Sequence, residues 1–457
     1  MFHSLFTRPS GRHGVLGLWA FLLAMAAAPA GAGSAPLSLN EALAHTLERH
    51  PELAQFPYRR RAAEARELQA GLIPNPELAV EVENIGGSGR FAGTDSAEAS
   101  LVLSQLIELG GKRGRREQVA RYRTDLVDSD YRQVRWQVLA ETVRRFLSVA
   151  EAQQNIQLAE LSLELSRESR ETIRQRVQAG TTSDASLQRS AIAVTRAELA
   201  VDSARQQLAS ARVALAAQWG ESEPDFERVR AELYQLVALP EFNRVRRHLE
   251  NAPELSRYIT ERRLREAELQ LARARGRQDV RVGLGVKQVQ ETDDHAFTLS
   301  LSMPLGVSDR NQGEVRARRA EFEQLALEEK ASRVNLMARI QGLYQEMEVF
   351  RGTALRLRGE ALPSARAALD SIRRGYREGL YTYLDLVDAR RERLAVERDA
   401  LKAAVNFHQT LVTLEQLTGT GLTGQWTLTP DGIEGATEPY EPSEPEPRPY
   451  NEQAGES

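Results

Sequence analysis

The sequence predicts a mainly α-helical protein with a smaller β part, in which a unit of helix, β-hairpin, long helix and return helix occurs twice. Short landmarks recur in the same order about 200 residues apart, which indicates an internal duplication. Two segments in each copy alternate strictly between apolar and polar residues, as strands do, and a long helical segment follows them. Aromatic residues make up only 6% of the chain, which is otherwise rich in Ala, Leu, Glu and Arg. Such a composition is typical of long helices.

The duplication rests on landmarks that keep their order in both copies. They are His50-Pro51-Glu52-Leu53 and Ala252-Pro253-Glu254-Leu255, Leu109-Gly110 and Leu305-Gly306, Ala179-Gly180-Thr181 and Glu378-Gly379-Leu380, and Gln218-Trp219-Gly220 and Leu417-Thr418-Gly419. The unit is too long for a solenoid array and indicates a two-fold pseudo-symmetric chain. We therefore place a first repeat at residues 33–240 and a second at residues 241–428.

The two ends of the chain differ from the repeats in composition. Residues 1–32 contain basic residues, an apolar core and the small-residue sequence Ala30-Gly31-Ala32, which predict a signal peptide for export. A membrane anchor is disfavoured because the apolar run is short for a spanning helix, and no transmembrane helix is expected later in the chain. Residues 429–457 are rich in Pro and Glu and predict a disordered acidic tail.

Composition excludes several functional classes. The chain has no cysteine, which excludes disulfides, thiolate metal sites and lipidation on cysteine. A formal net charge of −4 argues against a nucleic-acid partner. The histidines are scattered without the spacing of a zinc site, and no nucleophile or phosphate-loop motif occurs. We therefore expect no enzyme, no cofactor and no metal site.

Each repeat is predicted to contain a helix, two strands and a long helix. In the first copy these are a helix over 37–71, interrupted by Pro51 and Pro57, strands at about 76–84 and 97–106, and a helix over 112–178. In the second copy they are strands at about 279–288 and 296–303 and a helix over 312–377, which contains Pro363. A helix of this length is about 100 Å long and indicates a rod.

The long helices reverse direction at glycine breaks, which lie at 179–183 in the first copy and at 378–383 in the second. The return segment after the first break has a heptad pattern, in which Leu187, Val194, Val201, Leu208 and Leu215 alternate with Ala197, Ala204 and Ala211. Large residues at one seam position and small residues at the other favour a tight antiparallel coiled coil.

The predicted strands have one apolar and one polar face, as strands that cross a bilayer do. A soluble half-buried hairpin has the same alternation, but the charged rods offer no second apolar sheet to cover it. A sheet in lipid must close, and four strands are too few, so we expect the chain to oligomerise into one barrel. Its polar face would line a water-filled lumen with Glu77, Glu81, Glu83, Glu98, Arg281 and Lys287.

Three segments carry a more specific signal. They are Leu72-Ile73-Pro74-Asn75-Pro76-Glu77-Leu78, Glu81-Val82-Glu83-Asn84-Ile85-Gly86-Gly87 and Glu108-Leu109-Gly110-Gly111-Lys112-Arg113. With the duplicated unit and the glycine breaks, the chain over about 37–422 resembles the TolC-like outer-membrane efflux factors, and most closely their CzcC-type heavy-metal branch. The resemblance implies a homotrimer in the outer membrane of a Gram-negative bacterium. Its twelve strands would form a β-barrel continuous with a periplasmic α-helical coiled-coil barrel.

The same resemblance implies partners and a function. A periplasmic adaptor (membrane fusion) protein would join the channel tip to an inner-membrane resistance–nodulation–division pump, and outer-membrane lipid would surround the barrel. The implied role is a non-catalytic exit duct for divalent heavy-metal cations such as cobalt, zinc or cadmium. An exit duct for drugs or for type I protein secretion stays open. A periplasmic coiled-coil structural protein without a pore is a remoter alternative.

The resemblance also implies a gate at the second tip. In the family, two aspartates six and nine residues after the tip glycine constrict the closed tunnel, and these positions are Asp385 and Asp388 here. Three copies would form a carboxylate ring that favours cations, although an acid early in a helix also complements the helix dipole. The chain departs from the family pattern at Ser186, where some relatives have an acid, and at Tyr381, where the best-known members have a locking arginine.

Two further surfaces are candidates for contacts. The tip residues that an adaptor would grip are Ala179, Gly180, Thr181, Glu378, Gly379 and Leu380, although a bare helix reversal also uses glycine. At the other end of the rods, the basic residues where a strand meets a helix are Lys112, Arg113, Arg115 and Arg116. They are placed either to hold lipid phosphates or to form a solvated helix start.

Overall fold

The computed structural model of this protein describes residues 35–422. The predicted signal peptide at residues 1–32 and the predicted tail at residues 429–457 therefore lie outside the described residues. Within the described range, each copy has the predicted order of helix, β-hairpin, long helix and return helix.

The elements have the following bounds. The helices are α1 (Leu39–Arg49), α2 (Phe56–Gly71), α3 (Lys112–Gln178), α4 (Asp184–Ala216), α5 (Phe242–His248), α6 (Pro253–Arg275), α7 (Gln312–Arg356), α8 (Leu362–Glu378) and α9 (Tyr383–Thr418). The strands are β1 (Glu77–Glu83), β2 (Glu98–Ile107), β3 (Val280–Val289) and β4 (Asp294–Ser302). Each strand lies within about two residues of its predicted bounds, which is the usual scatter of assigned element ends.

The helix predicted over residues 37–71 is divided in two. Helix α1 begins with a capping box, in which Ser38 and Glu41 bond each other's backbone N–H, and it ends just before Pro51. Helix α2 begins at Phe56 and contains Pro57 in its first turn. A proline there needs no N–H donor, so Pro57 starts the helix instead of interrupting it.

The prediction of one continuous helix over 312–377 is wrong. Helix α7 ends at Arg356, a π-helical turn spans Leu357–Ala361, and α8 starts at Leu362. Pro363 has no N–H, and its ring would clash with the carbonyl four residues earlier in a regular α-helix. A wider turn relieves that clash. The first copy has no such proline, and α3 runs for 67 residues without interruption.

The strands form one antiparallel sheet in the order β1-β2-β3-β4. Strands β2 and β3 come from different copies and pair over ten positions, for example Ser100 with Lys287 and Ser104 with Gly283. The sheet therefore joins the two repeats, and β1 and β4 are its edges.

The apolar core lies in the middle of the rods. Helix α4 packs along α3, and five of its eight predicted seam residues are buried, namely Val194, Ala197, Val201, Ala204 and Leu215. The other three, Leu187, Leu208 and Ala211, are partly buried, so the seam faces α3 as predicted. The largest buried cluster joins α1, α3 and α9 around Leu43, Phe146 and Leu401. This core holds the sheet at one end of the helices and the two glycine breaks at the other.

Candidate functional site

The sheet exposes its apolar face. Val80 is 70% exposed, Leu284 65% and Phe297 93%, although soluble proteins usually bury such residues. Along β2, Leu101 is exposed whereas its polar neighbour Ser100 is partly buried. No element within residues 35–422 packs over this face. A soluble half-buried hairpin would show the opposite pattern, and an exposed apolar patch of this kind indicates contact with a membrane or another protein.

The polar face is the concave side of the sheet. Gly283 and Gly285 lie on this face in β3, and a Cβ atom added to Gly285 would lie 2.6 Å from the Leu101 carbonyl oxygen and 2.7 Å from the Thr298 hydroxyl. The strands come this close because no side chain stands at Gly285. The crowding and the lower exposure both indicate that the sheet curves towards its polar residues.

Five of the six predicted lumen charges form ion pairs on this face. The pairs are Arg281 with Glu77, and Lys287 with Glu83 and Glu98. Glu81 lies between the two groups on β1, and it has no ion-pair partner in the described part of the chain. The sheet therefore brings opposite charges together at both ends of its concave face and leaves one carboxylate uncompensated.

The basic residues at the start of α3 are mostly structural. The Lys112 ammonium is nearly buried and lies 2.8 Å from an Asp279 carboxylate oxygen. The Arg116 guanidinium pairs with Glu108 and also donates to two carbonyls at the end of α2. Lys112 and Arg116 thus fasten strands to helices instead of facing lipid, while Arg113 and Arg115 are exposed.

The first tip is a Schellman motif. Gly180 has φ of +70°, and its N–H donates to the Val177 carbonyl at 2.9 Å. The Thr181 N–H donates to the Arg176 carbonyl at 2.9 Å. These two bonds satisfy the last carbonyls of α3 and require a left-handed residue, for which glycine has the least strain.

The second tip repeats this geometry. Gly379 has φ of +83°, its N–H donates to the Tyr376 carbonyl at 3.2 Å, and the Leu380 N–H donates to the Gly375 carbonyl at 2.7 Å. The six predicted tip residues, Ala179, Gly180, Thr181, Glu378, Gly379 and Leu380, are all exposed. The two tips therefore present accessible loops with the same backbone.

Asp385 caps the helix that follows the second tip. Its Oδ2 accepts hydrogen bonds from the Thr382 N–H and hydroxyl, both at 2.7 Å, and the Asp385 N–H donates to the Thr382 Oγ1 at 3.3 Å. The bonds from the Thr382 side chain and backbone lower the pKa of Asp385. The carboxylate is therefore ionised at neutral pH while it holds the start of α9.

Asp388 lies one turn further along α9. Residues three apart share a helix face, so Asp385 and Asp388 lie on one exposed side, whereas Leu386 is buried in a cluster with Leu369. Asp388 is only loosely paired with Arg391, at 3.8 Å. The geometry places two carboxylates together at the start of the helix.

The two departures from the family pattern have distinct local structures. Ser186 occupies the position in the first copy that Asp385 occupies in the second, and its hydroxyl lies 3.3 Å from the Ser183 hydroxyl. Tyr381 packs against Gly375 on α8 of its own chain. The contact is so close that a Cβ atom added at Gly375 would lie 2.5 Å from the Tyr381 ring. Tyr381 is therefore held against its own hairpin.

The two hairpins are joined near their tips. Arg176 donates to the Tyr376 carbonyl at 3.0 Å, and its guanidinium lies 4.7 Å from the centre of the Tyr376 ring. Glu168 on α3 forms ion pairs with Arg373 and Arg377 on α8. These contacts link the ends of the two copies within one chain.

Two features are absent from the described residues. No helix within 35–422 has an apolar stretch long enough to cross a membrane. In the same range, no group of three or more His, Asp or Glu side chains is arranged to hold a metal ion. His408 is buried away from any such group, and its Nε2 lies 2.9 Å from the Leu233 carbonyl oxygen.

Comparison with known proteins identifies the family. The model of the family described as outer membrane efflux protein matches residues 42–221 and 245–420. The chain belongs to this family. The resemblance predicted from the sequence is thereby confirmed, and the outer membrane efflux proteins are channels and not enzymes.

Relatives and solved structures agree with this assignment. The chain is 29% identical to the cobalt-zinc-cadmium resistance protein CzcC of Cupriavidus metallidurans, over 84% of this chain and 90% of that protein. It is 24% identical to the nickel-cobalt-cadmium resistance protein NccC of Alcaligenes xylosoxydans xylosoxydans, over 61% of this chain and 65% of that protein. A CusC crystal structure superposes with a TM-score of 0.71 at 16% identity, over 83% of this chain and 91% of that chain.

Sequence reasoning missed several residues that organise the efflux-protein fold. Asp279 and Glu108, which hold Lys112 and Arg116, lie in other segments of the chain, so no local pattern indicates the pairing. Arg176 follows the ordinary charge pattern of a helix surface. Gly283 and Gly285 did carry a signal, because two glycines on one face of a strand mark a close approach.

Proposed function

We propose that this chain forms the outer-membrane exit channel of a tripartite efflux system and that its cargo is divalent heavy-metal cations. The observation that carries the proposal is the inverted sheet, whose apolar face is uncovered and whose concave face carries the charges. Lipid would cover the first face and water would fill the space inside the second. A structural protein without a pore would instead bury the apolar face of the sheet and expose the polar face to water.

The assembly we propose is a homotrimer. The edge strands β1 and β4 have no partners on their outer sides within residues 35–422. An unpaired strand edge in lipid leaves polar backbone groups without hydrogen bonds, at a cost of several kcal/mol each. Three copies would pair these edges in a closed barrel of twelve strands, and the helices would continue as a periplasmic tunnel.

The periplasmic end of the proposed tunnel has two roles. Asp385 and Asp388 of three chains would form the carboxylate rings of a gate, and the exposed tip loops around Gly180 and Gly379 would receive a periplasmic adaptor protein. The adaptor would connect the channel to an inner-membrane resistance–nodulation–division pump. The shared Schellman geometry supports a common docking mode for both loops.

The metal cargo rests on two relatives described as cobalt-zinc-cadmium and nickel-cobalt-cadmium resistance proteins. In the proposed duct the cations would pass in water, guided by carboxylates such as Glu81, and the pump would select among them. Cellular zinc or cobalt content in a strain that lacks this chain but keeps its pump and adaptor tests the cargo. Restored export on re-expression supports metal cargo, whereas unchanged metal content with altered drug tolerance contradicts it.

Single-channel conductance of the purified oligomer in planar bilayers tests the channel and the gate. The variant Asp385→Asn/Asp388→Asn removes both charges while an amide oxygen can still accept the cap hydrogen bonds. We expect the cation-to-anion permeability ratio to fall about two- to fivefold, because a carboxylate ring attracts cations over a short screened distance.

The matched control is Asp184→Ala, which removes an exposed acid from the first turn of α4 at the other tip. We expect its conductance and selectivity to equal those of the wild type. Equal selectivity in all three proteins would keep the channel but remove the gate assignment. A folded oligomer that extracts without detergent and forms no pore would overturn the channel itself.

A further inference from the structure

A cavity of about 310 Å³ lies among the helices just below the sheet. All four helices that adjoin the strands contribute to its wall: α2, α3, α6 and α7. Helix α2 packs on α3, α3 on α6, and α6 on α7, so the four form one layer in that order. The outer helices of a layer can line the same cavity only if the layer is curved, so the cavity lies on its concave side.

The cavity wall is dominated by guanidinium groups. The lining arginines are Arg66, Arg116, Arg123, Arg275 and Arg318, against two lining carboxylates, Glu268 and Glu314. Glu108 and Glu321 lie beside the wall and pair with Arg116 and Arg318, so a small excess of positive charge stays at the cavity. Like charges around a partly enclosed space repel one another, and a bound anion relieves that repulsion.

Three of the arginines are already compensated. Arg123 lies 2.9 Å from Glu268, Arg318 pairs with Glu314 at 2.8 Å, and Arg116 is held by Glu108, as described above. These guanidiniums are fixed in position by their carboxylates. Their charges are therefore already balanced by carboxylates.

Arg66 and Arg275 are different. Both are exposed at the cavity, from α2 and α6, and neither has an ion-pair partner in the described part of the chain. A guanidinium offers a planar fork of donors that matches phosphate and carboxylate oxygens in pairs. Two such forks at one cavity provide the donors that a single oxyanion needs.

The floor between the arginines is made of small and apolar side chains. It includes Ala63, Ala70, Ala120, Ala272 and Leu271. Short side chains on adjoining helices create the space, and the apolar surface keeps water from screening the charges fully. The floor also accepts an uncharged body attached to an anionic group.

We infer that this cavity is a binding site for a phosphate-type oxyanion, which Arg66 and Arg275 hold between α2 and α6. The site needs only one chain, and its position on the lumen side rests on the proposed channel. The oxyanion is free phosphate in the water of the lumen, because the channel wall separates a site on the lumen side from the headgroups of the surrounding membrane.

Isothermal titration of the delipidated oligomer with inorganic phosphate, at constant ionic strength in chloride, tests the site. We expect saturable binding by the wild type and at least about tenfold weaker binding by Arg66→Gln/Arg275→Gln, because two charge-assisted contacts are lost.

The matched control is Arg61→Gln/Arg273→Gln, which removes two arginines from the same helices at positions that do not line the cavity. It should bind phosphate as the wild type does. The inference is overturned if the wild type does not bind phosphate, or if both double variants behave alike. Conductance measured on the same preparations separates this result from failure of the channel proposal. An open pore without phosphate binding would overturn the binding site and leave the channel proposal standing.

Discussion

The two helical hairpins of the chain share a backbone but differ in their side chains. Both reverse through a Schellman motif around a left-handed glycine, Gly180 in the first and Gly379 in the second. Only the second tip follows this glycine with a full capping box, Thr382 with Asp385, whereas the first has two serines, Ser183 and Ser186.

The difference also extends along the rods. Helix α3 is continuous, whereas its counterpart is divided by the π turn at Leu357–Ala361. Duplication preserved the positions that backbone geometry requires, because few residues adopt positive φ without strain. The side chains on the exposed face were not constrained in this way, and the carboxylates we assign to the gate accumulated in one copy. The two tips therefore share their backbone geometry and differ in the side chains on their exposed faces.

The largest expected effect comes from breaking the shared geometry. Gly180→Ala and Gly379→Ala should each destabilise their own hairpin by about 1–2 kcal/mol, because a Cβ atom is strained in the left-handed region. Both positions are open, with nothing within 4 Å of an added Cβ, so the strain is in the backbone alone. Hydrogen exchange of the tip amides measures the two effects. Gly359→Ala, inside the π turn at ordinary φ, is the control, and unequal losses at the two glycines would contradict their equivalence.

A smaller effect should distinguish the two caps. Thr382→Ala removes a side chain that accepts a bond from the Asp385 N–H, and should destabilise the start of α9 by about 1 kcal/mol. Ser183→Ala should have less effect on α4, because Ser183 makes no side-chain cap bond to the helix backbone. Exchange protection of the first turn of each helix tests this. Equal losses of exchange protection at the starts of α9 and α4 would show that the two caps do not differ in strength.

The smallest effect is a pH dependence of stability that is stronger at the second tip than at the first. Hydrogen bonds from Thr382 lower the pKa of Asp385 below its ordinary value of 3.8. The carboxylate therefore contributes stability that is present above that value and is lost as the pH falls through the lower, folded-state pKa.

Protection factors corrected for intrinsic exchange, measured from pH 7 down to the acid limit of folding, test the sign. We expect the α9 start to lose protection below about pH 4, and the α4 start, capped by serines, to lose less. Asp385→Asn should abolish the difference. A second tip that keeps its protection through this range in the wild type would show that the cap is not charged.

Much of the fold could be predicted from local patterns. The bounds of α3 follow from an uninterrupted helical sequence between Gly111 and Gly180, and the strands follow from period-two alternation. The heptad seam of α4 is buried where the pattern placed it. The break in the second long helix is the exception, because the helical pattern continues on both sides of Pro363 and does not indicate the π turn before it.

The sites were less predictable than the elements. The lumen charges and tip residues could be placed on their elements, but their pairings could not, because Glu77 and Arg281 are far apart in the chain. The sequence shows Lys112 and Arg116 only as basic residues at a helix start, and the fold alone brings Asp279 and Glu108 beside them. The cavity beneath the sheet has no sequence pattern, since its wall comes from four separate helices.

The sequence alone determined the duplication, the four strands, the first long helix and the positions of both reversals, because these depend on neighbours within a few residues or on simple periodicity. The tertiary structure decided that the sheet curves towards its polar face, that the two copies are tied by Arg176 and Glu168, and that two unpaired arginines share a cavity. These features depend on distances between residues far apart in the chain, which only the packed helices and paired strands establish.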